Sequence, residues 1–225
     1  FNNDVDFSFK DLYFALNYRV RTGIFTIDPG LTLHFYDNNN IQLGQTFAKD
    51  ISDIRPNLRV NMQFKKNENL RFTYRKNTQF TDVNNISEGY VFNNYNSIFR
   101  GNRELEAAIV NSYNLNYRSI NQFTFTNIYS NISYSKRENS IQSRAAIDGI
   151  NSVRTADNSI FPRETYSARA RLDRRFKNIK LNLSANFRYS EFSNIINDVV
   201  NNAESFNQDY EASLETNFRD KPNFE

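Results

Sequence analysis

Residues 181–189 read Leu181-Asn182-Leu183-Ser184-Ala185-Asn186-Phe187-Arg188-Tyr189, with every odd position apolar or aromatic and every even one polar. Successive side chains of an extended chain point to opposite faces, so this stretch spells a strand with one dry and one wet face. The same period of two spreads outward from it. It runs through Leu12, Phe14, Leu16, Tyr18 and Val20, then Phe25, Ile27, Leu31, Leu33 and Phe35. It returns at Leu58, Val60, Met62 and Phe64, at Leu70, Phe72 and Tyr74, and at Tyr113, Leu115 and Tyr117. Tyr166, Ala168, Ala170 and Leu172 continue it, and Tyr210, Ala212, Leu214 and Phe218 close it. Segment 123–135 changes parity between Phe125 and Ile128, which predicts a β-bulge near Thr126-Asn127. No segment keeps a 3.6-residue period, so the expectation is about nine antiparallel strands and no substantial helix.

Composition narrows what such strands can build. Mean hydropathy is −0.71 and no run approaches the roughly 20 apolar residues of a membrane helix. Aromatics still reach 15%, too rich for a disordered chain. Cysteine is absent, which excludes disulfides and thiolate metal sites. The net charge of +3 is scattered rather than blocked, and nucleic acid is not an expected partner. Phe1-Asn2-Asn3-Asp4 has neither the basic nor the apolar part of a signal peptide, as expected of a mature chain or a piece of one.

The connections alternate. Short turns are expected at Arg21–Ile24, Lys65–Asn69, Arg118–Gln122 and Phe176–Ile179, and long connections at 37–55, 78–111, 136–163 and 191–208. In an up-and-down sheet this order puts tight turns on one edge and long loops on the other, as in transmembrane β-barrels. A soluble sandwich would have shorter strands and Greek-key crossings. The polar row is dense in charge and amides, suiting a wet lumen. Aromatics near the ends of the apolar rows, such as Tyr18, Phe64, Tyr74 and Tyr117, suit interfacial girdles, although Trp is absent.

Several local motifs carry a resemblance. Leu16-Asn17-Tyr18-Arg19 with Pro29-Gly30-Leu31, Arg55-Pro56-Asn57-Leu58, and Leu70-Arg71-Phe72-Thr73-Tyr74-Arg75 are three of them. The most specific is Gly101-Asn102-Arg103-Glu104-Leu105 followed by Tyr113-Asn114-Leu115-Asn116-Tyr117. Together they resemble outer-membrane β-barrel proteins of the TonB-dependent-receptor type found in Bacteroidota. Arg103 and Ala107-Ala108 stand where that family usually has Pro and Pro-Glu. The resemblance implies a 22-stranded barrel around an N-terminal plug, in the Gram-negative outer membrane. Residues 1–225 would then be a single partial barrel domain without the plug, with Arg219-Asp220-Lys221-Pro222 a periplasmic turn leading onward. Implied partners are outer-membrane lipid, a periplasmic energy-coupling protein acting through the plug, and a small-molecule, glycan or peptide ligand. A structural or adhesive barrel without transport is the alternative.

No cofactor and no catalytic site is expected. The single His34 lies in the polar row, and no zinc, calcium or nucleophile-elbow motif accompanies it. Glu104 and Glu106 read as solvated loop acids, and Gly101-Asn102 as a turn. Candidate ligand-facing or lumen residues are Tyr90, Asn94, Tyr95, Arg100 and Asn102 in the second long connection, and Arg169 and Arg171 in the wall. The arginine row is expected to pair with Glu211 and Glu215, or to form a basic wall that attracts anions.

Overall fold

The computed structural model describes residues 4–217 and 224, so the expectations placed on Phe218 and on Arg219–Pro222 lie outside the described residues. The chain forms one sheet layer of fourteen strands. They are β1 (Val5–Asn17), β2 (Val20–Thr22), β3 (Phe25–Gln42), β4 (Gln45–Lys65), β5 (Glu68–Gln79), β6 (Tyr90–Asn94), β7 (Ser97–Arg100) and β8 (Ala108–Asn121). Then come β9 (Thr126–Glu138), β10 (Ile141–Asp148), β11 (Asn151–Asn158), β12 (Arg163–Phe176), β13 (Ile179–Ile196) and β14 (Val199–Thr216). One short helix, α1 (Val83–Ile86), lies between β5 and β6.

Fourteen segments replace the nine expected, for two reasons. β1 and β2 continue one another along β3 in a single register, interrupted at Tyr18-Arg19 opposite Asp28-Pro29. Pro29 has no N–H to give, so the ladder loses a bond there and keeps only Tyr18 N–H to Pro29 O, at 3.0 Å. The second reason is that β6, β7, β10 and β11 form inside two of the long connections. The remaining strands pair antiparallel with their sequence neighbours, β1/β2-β3-β4-β5-β8-β9-β12-β13-β14.

The turns also differ from expectation. Connections 37–55 and 191–208 are not loops but projecting hairpins, closed by two residues each at Leu43-Gly44 and Asn197-Asp198. All four of those residues have positive φ, the geometry that matches strand twist in a two-residue hairpin. The turn expected at Arg118–Gln122 lies at 122–125. There is no bulge at Thr126-Asn127, because β9 pairs in unbroken register with β8 and β12. Phe123 and Phe125 belong to the turn, and that is why their parity breaks. The bulge of the long strands sits instead between Gln63 and Lys65.

Alternation sets the two faces. One row of the apolar face runs Tyr74–Tyr113–Tyr134–Tyr166–Tyr189–Phe206 across six strands. Successive tyrosine rings in it stand 4.9, 5.8, 4.7 and 6.2 Å apart. Two residues further along, the same face carries Lys136–Glu164–Glu191–Glu204. The apolar stretch also slides from strand to strand. Ala185, the middle of the set on β13, shares a row with Ala170, Ser130, Tyr117, Leu70, Met62 and Phe25. Phe25, however, is the first apolar residue of β3, so the strands run obliquely to one common apolar belt, as tilted barrel staves do.

Very little of the chain is buried by itself. The buried apolar residues are Tyr36, Ile86, Ala108, Val110, Ala156 and Ile195, and all lie at the end of the sheet where the long connections emerge. On the apolar face Leu12, Leu16, Ile132 and Leu214 are 61%, 73%, 55% and 53% exposed.

Leu43 holds a left-handed backbone at φ 53° without the side chain suited to it. Replacing it with Asn should stabilise the β3–β4 hairpin by about 1 kcal/mol. Slower amide exchange at Thr46 is the expected reading, and unchanged exchange would show that the turn is not strained.

Candidate functional site

The site begins with a proline. β4 and β5 pair as far as Asn57↔Arg75, and the next pair would set Pro56 against Lys76. Pro56 has no N–H for that pair, so the two strands separate there. Side chains then serve the freed carbonyls. Lys76 Nζ donates to Ile54 O at 3.0 Å, and Arg55 donates to Thr78 O at 3.3 Å. Asp53 joins them, accepting from Arg55 Nε at 2.8 Å, Lys76 Nζ at 3.1 Å and the Thr78 hydroxyl. Asp53 stands beyond Ile54, where the apolar row of β4 ends.

Arg55 reaches on to the Tyr36 hydroxyl and lies 5.6 Å from that ring's centroid. Tyr36 is the hub of an aromatic cluster on the polar face, 5.3 Å from Phe9 and 4.6 Å from Phe80. The His34 ring stacks between Tyr36 at 5.3 Å and Tyr13 at 5.5 Å, with its Nδ1 2.9 Å from Asp11. The cluster can offer stacking surface and a hydrogen-bonding imidazole. Among the described residues no three His, Cys, Asp or Glu side chains gather as a metal site.

Above this cluster the long connections are tied into one canopy. Gln42, at the tip of β3, donates to Ile86 O at 3.2 Å and accepts from Glu88 N–H at 2.9 Å. Arg103 donates to Glu88 through Nε at 2.8 Å and reaches Gln45 at 3.4 Å. β7 pairs parallel with β11, and β10 pairs parallel with β13 through Arg144↔Ile195 and Ala145↔Ile196. Asn158 accepts from Glu106 N–H at 2.7 Å and donates to Glu106 O and Asn139 O at 3.0 and 2.9 Å, binding the two long connections at their bases.

The sequence-derived candidates fall into two groups that the structure keeps apart. Tyr90 and Arg100 face each other across the β6–β7 hairpin, with the guanidinium 5.8 Å from the ring. Asn94 accepts from Asn96 N–H at 3.2 Å within the turn, and Tyr95 at its tip is 90% exposed. Asn102 donates its N–H to Asn85 O at 2.7 Å and accepts from Glu104 N–H at 2.9 Å, a structural part. Gly101 is not a positive-φ turn residue. It passes so close to α1 that a Cβ would lie 2.5 Å from the carbonyl oxygens of Asn85 and Ser87. Arg169 and Arg171 lie in the wall on β12. They do not pair with Glu211 and Glu215 as expected: Arg169 donates to Asn186 and Arg171 to Asp173 at 2.9 Å, while Glu215 takes Lys180 at 2.7 Å.

Gln42, Asp53, Arg55, Lys76, Phe80 and Arg103 escaped sequence reasoning. Two signals pointed toward them: a proline in mid-strand, and the aromatics Tyr13 and Tyr36 in a row otherwise polar.

Comparison with known proteins decides the family. The chain matches the outer membrane protein beta-barrel family over residues 5–225. It belongs to that family. It is accordingly a protein of the Gram-negative outer membrane. No curated protein matches it. Among solved structures, the FrpB iron transporter from Neisseria meningitidis (F3-3 variant) has a TM-score of 0.64 at 13% identity, over 96% of this chain and 32% of that one. The copper transporter OprC has a TM-score of 0.56 at 10% identity, covering 96% and 41%. The siderophore receptor PirA from Pseudomonas aeruginosa has a TM-score of 0.53 at 8% identity, covering 96% and 52%. The chain thus spans about a third to a half of these barrels, and the likeness is one of fold. The shared fold is that of an outer-membrane β-barrel, as the sequence motifs led one to expect.

Truncating Gln42 to Ala should strand Ile86 O and Glu88 N–H in the canopy at a local cost of about 2 kcal/mol. Proteolysis of segment 80–107 should accelerate while the strands below stay protected. If cleavage is no faster, Gln42 does not hold the canopy.

Proposed function

We propose that this chain is part of the wall of a TonB-dependent-type receptor or transporter, with the apolar face toward lipid and the polar face toward the lumen. The nine staves run up and down. Tight turns lie in the periplasm, and the canopy lies outside the cell, where it takes the ligand. The observation that supports this reading is the placement of burial. Among the described residues the buried apolar side chains gather at the canopy end of the sheet, while the staves expose an apolar belt edged by tyrosines and then by charges. Water would oppose so large an apolar surface, whereas a bilayer about 30 Å thick would cover it. Leu181 to Tyr189 is nine residues, within the length of a tilted membrane strand.

The ligand face is the aromatic cluster around Tyr36 together with the canopy hairpin that carries Tyr90, Asn94, Tyr95 and Arg100. Rigid scaffolds commonly place recognition on such connections. A periplasmic energy-coupling protein would drive release inward through a plug elsewhere in the protein. Iron and copper complexes, the cargo named for two neighbours, are the first ligands to try. Energy-dependent accumulation of one of them should fall when the gene is disrupted and when the membrane is de-energised. Uptake that ignores both would instead mark a structural or adhesive barrel.

The face assignment has its own test. Leu183→Arg should destabilise the reconstituted full-length barrel by roughly 2–4 kcal/mol near the bilayer midplane, and Asn186→Arg should cost little. Equal costs in denaturant titration, or the reverse order, would turn the sheet inside out.

A further inference from the structure

Four arginines on the polar face share a hollow that nothing above uses. Arg71, Arg118, Arg169 and Arg171 line a space of about 450 Å³ floored by Asn116 and Asn131, and no acidic residue lines it. Pairing fixes their arrangement. One row runs Arg71–Asn116–Asn131–Arg169, and the adjacent row Asn69–Arg118–Tyr129–Arg171. With strands about 4.8 Å apart, the backbones of Arg71 and Arg169 stand about 14 Å from each other, and their long side chains reach over the asparagines between.

The floor is already satisfied. Asn131 donates to Asn114 at 3.0 Å and to Asn116 at 2.8 Å. Arg169 and Arg171 each spend Nε on a neighbour, and among the described residues no acceptor takes their terminal N–H groups. Arg118 lies 5.9 Å from the Tyr129 ring centroid, and neither it nor Arg71 has a carboxylate within ion-pair distance among the described residues. Arg171 has the Asp173 carboxylate as counter-charge, but Arg71, Arg118 and Arg169 have none among the described residues, so the hollow keeps an excess of positive charge that an oxyanion would neutralise. The planar guanidinium fork matches carboxylate and phosphate geometry.

We propose that this hollow is an oxyanion site in the barrel wall, in which a carboxylate or phosphate bridges Arg71 and Arg118 to Arg169 and Arg171. The group comes either from a free anionic solute or from an acidic side chain elsewhere in the same polypeptide. The site goes beyond the transport reading and requires only that the polar face be the lumen wall.

The test uses the full-length protein in detergent micelles, with inorganic pyrophosphate as the probe in titration calorimetry. For a free solute, the double variants R71Q/R169Q and R118Q/R171Q should weaken pyrophosphate binding at least tenfold. The corresponding Lys variants should keep part of it, and the heat-resistant migration of a folded barrel checks that all variants fold. For a same-chain carboxylate, R71K treated with a carbodiimide should form an amide crosslink from the new amine, which has no carboxylate partner among the described residues, to an Asp or Glu elsewhere in the polypeptide, mapped by mass spectrometry. Binding that survives both Gln doubles overturns the site, and so does the absence of both pyrophosphate binding and crosslink. Either result leaves the lipid-face and uptake experiments standing, so the two readings fail separately.

Discussion

The backbone ladder is the constraint on which everything else rests. A single layer of sheet has no second layer to pack against, so it is held by strand-to-strand hydrogen bonds and by whatever covers its faces. Inside a bilayer no water can repair a missing bond, and each unsatisfied group costs several kcal/mol. At two positions in the staves, Pro29 and Pro56, proline removes a donor and the ladder is interrupted. At Pro29 the first stave breaks and resumes in the same register. At Pro56 the β4–β5 ladder ends, while β4 stays paired to β3, and Lys76 and Arg55 supply side-chain bonds to Ile54 O and Thr78 O. The separation of β4 and β5 is thus repaired by charged side chains that also meet Asp53 and Tyr36. A local loss of backbone bonding becomes the polar edge of the aromatic cluster around Tyr36.

The same logic explains the canopy. Projecting hairpins beyond the belt present strand edges to water, where they would recruit foreign strands. Here they recruit each other. β7 finds β11, and β10 finds β13. Gln42 and Asn158 satisfy carbonyl and amide groups between connections that are distant in sequence. The connections are consequently coupled: a displacement of the β6–β7 hairpin pulls on β11, then on β10, and so on the β13–β14 hairpin.

How much of this was legible follows from which interactions are local. Alternation is a property of each strand alone, so the rows through Leu181–Tyr189 and Leu12–Val20 identify the faces without any partner. Tight turns such as Lys177-Asn178 are local as well. Hairpins 37–55 and 191–208 read as loops because their Asn-rich arms, Asn38-Asn39-Asn40 and Asn201-Asn202, break the apolar alternation once the strand rises above the belt. Phe123 and Phe125 misled for the opposite reason, being apolar residues in a turn. Gly101 was recognised as special, but its reason, the passage of α1 at 2.5 Å from a would-be Cβ, is tertiary. The arginine pairs likewise depend on which strand side chain lies nearer, and Arg171 takes Asp173 on its own strand before Glu211 two strands away. The parallel contacts in the canopy join segments with no periodic signature, and nothing in the sequence announces them.

The charged row beyond the tyrosines adds a last constraint on where the belt ends. Glu164, Glu191 and Glu204 stand directly beside one another across three strands, with Lys136 at one end. Directly opposed like charges destabilise a sheet, and only high dielectric and salt make the arrangement cheap. Two residues away, Tyr166 and Tyr189 present rings that favour the boundary between oil and water. A carboxylate row placed one step toward the bilayer centre would be far more costly. With the apolar face toward lipid, as proposed, the pair of rows would set the height of the barrel from both sides: charge limits how deep it can sink, and the apolar belt how far it can rise. Asp53 and the Tyr36 cluster stand where the β4–β5 ladder has already ended, beyond Pro56, while the apolar alternation runs on to Ile54 of β4 and Phe35 of β3.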